Sequence, residues 1–159
     1  MTDLEDEDRV LVIDFLERFA RFESELKVDG CLTDPTPGAV AKANWNRYAT
    51  LLGGRLLARQ DTADAAASLL ADPPKVQYVT EGQTARFEPQ ARNPRHSDER
   101  WLLRLVQTVR NNLFHGGKHA PPLGLVGEPA RDRALLRACI VILDACLELN
   151  LVLRSRFRE

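Results

Sequence analysis

Metal ligands and thiols are scarce in this chain, which has three histidines, three cysteines and one methionine in 159 residues. A metal centre needs several such side chains clustered. His115 and His119 have the four-residue spacing of a helical metal pair, but two glycines lie between them and no carboxylate is near in sequence. No metal and no cofactor is expected. Cys139 and Cys146 sit seven apart on one expected helix, about 10 Å by helical rise, too far to bond to each other. Cys31 is isolated, and all three read as small apolar residues in a reducing cytosol. No apolar run reaches the roughly 18 residues of a membrane span. Met1 is followed by acids rather than by a basic-then-apolar leader. The expected location is the cytoplasm, with no membrane partner. Also missing are a phosphate-binding P-loop, a Gly-x-Gly-x-x-Gly after a strand and a Gly-x-Ser-x-Gly elbow. No internal repeat or low-complexity tract is visible.

What remains is an ordinary globular composition, 44% hydrophobic and 28% charged, with a net charge of −1. Residues 1–159 are expected to form one domain. Bulk charge gives no sign of a nucleic-acid binder, but its distribution is uneven. Residues 1–30 hold ten acids against four bases. Residues 86–118 hold seven bases (Arg86, Arg92, Arg95, Arg100, Arg104, Arg110, Lys118) against three acids. Such a stretch is either a compact anion-binding patch or a solvated surface.

Periodicity reads as helix over most of the chain. Leu11, Phe15, Phe19, Phe22 and Leu26 form one stripe of a helix that ends at Asp29-Gly30. Glu23 on that helix is either an inward-facing carboxylate or a surface residue. A loop over 29–38 leads to a second expected helix, about Ala39 to Arg59, with Trp45, Tyr48, Leu52, Leu56 and Arg59 on its inner edge. Gly53-Gly54 weakens that helix. Asp61 to Leu70 reads as a short helix capped by Asp61 or Thr62. The period then changes, and residues 75–88 read as a small β-hairpin turning at Glu81-Gly82. Ser97 caps a helix to about His115, whose apolar stripe is Leu102, Leu105, Val106, Val109 and Leu113. Pro129 opens the last helix, to about Ser155. That helix is apolar on more than one face, which suggests burial on two sides, a partner subunit being one way to cover the second. The expected fold is all-α, a four-to-five-helix bundle with a hairpin inserted.

The richest stretch chemically is Arg110-Asn111-Asn112-Leu113-Phe114-His115-Gly116-Gly117-Lys118. Arginine offers a planar donor fork to phosphate oxygens. Histidine moves protons near neutral pH. RNA carries its own nucleophile, the 2′-hydroxyl, so this set suits its cleavage. A structural role is the alternative, with His115 capping carbonyls and Arg110 paired to an acid of another helix. On an ideal helix Arg110 and His115 lie about 140° apart. They meet only if the helix end distorts, which Gly116-Gly117 would permit, or if a second copy of the chain supplies the complement.

Arg110-Asn111-Asn112-Leu113-Phe114-His115 resembles the Arg-x4–6-His signature of the HEPN superfamily, and Asn111 matches its preferred polar residue after the arginine. Gly116-Gly117-Lys118 resembles the ending of the branch reading Arg-Asn-x-x-x-His-Gly. Arg18-Phe19-Ala20-Arg21-Phe22-Glu23 is similar to the opening helix of such proteins. The hairpin is not a general feature of the family. The resemblance implies a bundle that dimerises with two motifs facing across a cleft, and a metal-independent endoribonuclease acting in toxin–antitoxin, defence or RNA-processing systems. It implies that Arg110 stabilises the phosphorane, that His115 is acid or base, and that Asn111 orients the phosphate or the imidazole. Asn112 and Lys118 become candidates for RNA contacts and Glu23 for an orienting group. A cognate antitoxin or regulator is implied as a partner. A nucleotidyltransferase antitoxin is not, because Gly117 stands where that branch carries a modified tyrosine. Some members are instead non-catalytic modules that bind a partner protein or a nucleotide.

Overall fold

The computed structural model describes residues 2–114 and 128–159, with side chains from Asp6 onward. It is a mainly α-helical structure, 63% helix, with a two-stranded antiparallel sheet. The described residues form five α-helices: α1 (Thr2–Asp29), α2 (Trp45–Leu52), α3 (Ala63–Ala71), α4 (Asp98–Phe114) and α5 (Pro129–Leu153). Strands β1 (Val76–Val79) and β2 (Ala85–Glu88) lie between α3 and α4.

Helix α1 buries Val12, Phe15, Phe19, Phe22 and Leu26, a three-and-four spacing that keeps one face inward. Val12, rather than Leu11, is the fully buried member at its start; Leu11 packs half-buried at the edge. The helix stops at Gly30. Its N–H donates to Lys27 O (3.3 Å), the Cys31 N–H donates to Leu26 O (2.7 Å), and Gly30 takes φ +95°. This is the Schellman arrangement, which needs a left-handed residue at that position.

Helix α5 runs parallel to α1 along nearly its whole length. Glu7 pairs with Arg137, Asp8 with Arg133, Arg18 with Asp144, and Asn150 donates to Glu25, at separations of 130, 125, 126 and 125 residues. A near-constant offset is what two helices running the same way require. Asp8 is buried and accepts both Nε and Nη2 of Arg133, a two-point contact that fixes this end of the pair. Helix α5 also packs against α3. Leu135, Leu136, Cys139, Ile142, Leu143 and Cys146 are all buried. The wide apolar surface of this helix is thus taken up on two sides within one chain. All three cysteines are buried and free, and burial pushes the thiols up, that of Cys146 to about 12.

The second helix is shorter than the periodicity suggests. Its N-terminal part is not helical, because Leu32 and Ala43 form an isolated antiparallel bridge that closes the loop between them, with the Thr33 N–H donating to Lys42 O. Asn44 then caps α2, its Oδ1 accepting the Arg47 N–H at 2.9 Å. At the other end Gly53 and Gly54 take φ +55° and +90° and end the helix outright. Tyr48, Leu52 and Leu56 still face inward as the spacing implied, since Leu56 is carried in on the turn after the glycines.

That turn is held by one side chain from another helix. Glu99, in the first turn of α4, is 4% exposed. Its Oε1 accepts the Gly54 N–H, and its Oε2 accepts the N–H groups of Leu56 (2.8 Å) and Leu57 (3.3 Å). The carboxylate does for this turn what the missing helical carbonyls would have done. The Ala63–Ala71 helix has no side-chain cap, contrary to expectation. Thr62 instead donates its hydroxyl back to Leu56 O (2.7 Å), and Asp61 pairs with Arg59. Ser97 does cap α4, accepting the Arg100 N–H at 3.1 Å. The hairpin pairs Val76 with Glu88 through Val79 with Ala85, as its sequence suggested.

Removing the Glu99 carboxylate strands three backbone donors. Only the Leu56 donor belongs to a buried residue, and a buried donor left unsatisfied costs about 1–3 kcal/mol, so Glu99→Ala is expected to lose at least about 1 kcal/mol by urea unfolding. Glu99→Gln keeps one acceptor oxygen and is expected to lose clearly less. Equal midpoints for Glu99→Ala and wild type would show that the turn does not depend on this residue.

Candidate functional site

The last turn of α4 carries Arg110, Asn111 and Asn112 beside the middle of α1. Arg110 is half-buried and lies against two rings. Its guanidinium carbon is 4.6 Å from the centroid of Phe114, one turn on, and 5.8 Å from that of Phe19 on α1. A guanidinium over an aromatic face is attracted by the ring quadrupole and is held without losing its charge. Its Nη1 donates to the Asn111 Oδ1 at 3.3 Å. No carboxylate of the described residues pairs with it. Arg18, Arg59, Arg131 and Arg133 all pair with aspartate or glutamate. Among the described residues, therefore, Arg110 is not an ion-pair partner to another helix.

Glu23 is half-buried one turn from Phe19 on α1, and it accepts the indole N–H of Trp45 at 2.9 Å. The Trp45 ring packs 5.1 Å from Phe19 and 4.8 Å from Phe22. A continuous line of contacts thus runs from Arg110 through Phe19 and Trp45 to Glu23. Glu23 and Arg110 are joined through the rings, and no hydrogen bond links the two. Burial of the aromatic stripe fixes the line: Phe19 and Phe22 leave α1 on its inner face, and α2 begins at Trp45 because Asn44 caps it there.

Asn111 is exposed beside Arg110. Asn112 donates its amide to Lys75 O at 2.8 Å, tying the end of α4 to the segment that leads into the hairpin. His115 and Lys118 lie outside the described residues, as does His119. Among the described residues no group of three or more His, Cys, Asp and Glu side chains is placed to hold a metal ion, and no helix is long and apolar enough to cross a membrane.

The basic stretch sorts into two kinds of arginine. Arg86 pairs with Glu88 and Arg92 with Asp98. Arg100 donates its Nε to Asn46 Oδ1 at 3.0 Å, an uncharged partner, and Arg95 and Arg104 have no carboxylate partner among the described residues. His96 sits among them. Its Nδ1 is shielded from solvent without a hydrogen-bond partner. Desolvation first, then the charges of Arg100, Arg104 and Arg92, hold its imidazole below the usual histidine range. Sequence spacing marks this stretch as basic. It does not reveal that Trp45 and Asn46, fifty residues earlier, stand against it.

Compared with protein-family models, with curated proteins and with solved structures, the chain matches none. Its function is therefore read from the fold and from the cluster at the end of α4.

A histidine whose folded pKa is depressed favours its neutral form in the native state. Its contribution is present above the unfolded value of about 6.5 and is lost as pH falls toward the lower folded value. Wild type is expected to lose urea stability between pH 7.5 and 5.5 more steeply than His96→Gln. Parallel pH profiles for the two proteins would contradict this role of His96.

Proposed function

We propose that the protein is a metal-independent endoribonuclease of HEPN type that cleaves single-stranded RNA by attack of its own 2′-hydroxyl. One observation carries this reading: Arg110 is a half-buried cation held by two aromatic rings and neutralised by no carboxylate of the described residues. A guanidinium kept in that state at a helix end is suited to an anion. The Arg110-x4-His115 spacing supplies the proton-transfer group. The mainly helical bundle agrees with such a domain.

In the reaction, the 2′-oxygen bonds to phosphorus as its proton passes to a base, and the bond from phosphorus to the 5′-oxygen breaks as that oxygen takes a proton. The products are a 2′,3′-cyclic phosphate and a 5′-hydroxyl. Arg110 offers two parallel N–H donors to the charge that grows on the phosphorane oxygens. His115 serves as acid or base. Asn111, hydrogen-bonded to Arg110, fixes the plane of the guanidinium fork and has an amide left for the phosphate or the imidazole. Asn112 and Lys118 are RNA contacts in this scheme. The Asn112 tie to Lys75 gives its amide a structural task as well. Glu23 acts through Trp45 and Phe19, fixing the ring on which Arg110 rests.

The site is composite in this proposal. A second copy of the chain brings its own motif opposite the first, which answers the angle between Arg110 and His115. A cognate antitoxin or regulator would act by covering that cleft, in a toxin or defence setting inside the cell. The dimer rests on the geometry of the motif, since α5 is covered on two sides by its own chain.

Purified protein incubated with single-stranded RNA in EDTA is expected to produce fragments. Arg110→Ala and His115→Ala are each expected to slow cleavage by at least about 100-fold, the lower end of what proton transfer and charge stabilisation contribute. Absence of cleavage by wild type, or undiminished cleavage by both variants, would remove the proposal. A strictly monomeric active protein would remove the composite site.

A further inference from the structure

A cleft of about 490 Å³ opens beside α4, between the start of α2, strand β1 and the loop that precedes α4. That volume lies within the roughly 300–1,000 Å³ of ligand sites. Arg100, Arg104, His96, Asn46, Gln107 and Tyr78 line it, together with Trp45 and Trp101. No acidic residue among the described residues lines it. The field in the cleft is consequently positive and uncompensated, as Arg100 bonds the neutral Asn46 and Arg104 has no carboxylate partner among the described residues.

The lining is more specific than a patch of charge. Tyr78 is 46% exposed on the hairpin and offers a ring. Asn46 keeps its amide N–H groups after accepting from Arg100, and Gln107 carries a planar amide. Arginines for phosphate, a ring for a base and amides for base edges are the equipment of a single-stranded nucleic-acid groove. An acidic peptide would use the arginines and leave the ring and amides idle. The cleft also meets the site already described. Trp45 lines it and packs on Phe19, which carries Arg110. Along α4, Gln107 lies three residues from Arg104 and three from Arg110, so it neighbours each of them on the helix surface.

We propose that this cleft is the track that holds single-stranded RNA next to the scissile phosphate, with Arg100 and Arg104 on backbone phosphates and Tyr78 stacked on a base. The choice of RNA rests on the ribonuclease reading. The hairpin is then the substrate-holding element of this domain, supplying its stacking ring.

The test uses the full chain and a 2′-O-methyl RNA 12-mer of mixed sequence, which cannot be cut by its own 2′-hydroxyl, followed by fluorescence anisotropy. Wild type is expected to bind with an affinity that falls with salt. The doubly substituted Arg100→Glu/Arg104→Glu protein is expected to bind at least tenfold more weakly, with a log–log salt slope shallower by about 0.7 for each phosphate the protein no longer neutralises. Tyr78→Ala is expected to weaken binding at least about fivefold, the lower end of the effect of removing one stacked base. Arg9→Glu/Arg21→Glu, on α1, matches the charge change and is expected to bind as wild type does. Arg104→Gln removes the cation without reversing it and guards against a misfolded double variant. Unchanged affinity in the Arg100/Arg104 and Tyr78 variants overturns the proposal. So does equal weakening by the α1 control, or displacement of the RNA by polyglutamate at matched charge concentration. Binding through these residues without cleavage of a ribose strand leaves the cleft standing and removes the nuclease reading. Cleavage that ignores all three residues does the reverse.

Discussion

A single buried carboxylate decides how the halves of this molecule meet. Glu99 reaches from the first turn of α4 into the turn after α2 and accepts three backbone N–H groups that no helix satisfies. Two glycines end α2, and without Glu99 the turn after them would leave the N–H of buried Leu56 without a partner, which is costly. By binding that turn, Glu99 fixes the start of α4 against α2. Trp45 is thereby set beside α4, and with it both the cleft and the ring on which Arg110 rests. The geometry of the site therefore depends on a residue that touches none of its chemistry.

Much of the fold is legible in the sequence. The aromatic stripe of α1, the stripe of α4, Pro129 at the start of α5 and the hairpin with its glycine turn all arise from periodicity and local turn chemistry. The second helix does not. Its apolar positions keep helical spacing from Trp45 to Leu56, although the backbone is helical only to Leu52. Periodicity records which residues face inward, and a turn held by Glu99 buries Leu56 as well as a helix would. Glu99 itself reads in sequence as an acid suited to a helix N-terminus. Its burial depends on a turn more than forty residues earlier, which spacing cannot show. The same limit applies to α5. Its wide apolar surface correctly signals two covered sides, but α1 and α3 of the same chain do the covering.

The candidate site is only partly legible in this way. The Arg110–His115 motif, with Asn111, is a matter of residue types at fixed spacing. That Arg110 rests on rings rather than pairing with an acid of the described residues is tertiary, set by Phe19 arriving from α1. Glu23 is ambiguous in sequence between an inward and a surface residue. In the fold it is half-buried and bonded to the Trp45 indole, a partner supplied by α2. The excess of arginine over 86–118 is visible as a count. Its division into paired arginines and those lining a cleft free of acids depends on Trp45 and Asn46 standing opposite.

A guanidinium held on rings at the end of α4 serves, in this proposal, a reaction whose nucleophile is the 2′-hydroxyl of RNA. The decisive measurement is single-turnover cleavage in EDTA of an all-ribose oligonucleotide, beside the same strand with one 2′-deoxy residue at the cleaved step. Cutting of the first strand, and disappearance of that cut in the second, is the predicted result. Equal cutting of both strands, or of neither, would contradict it.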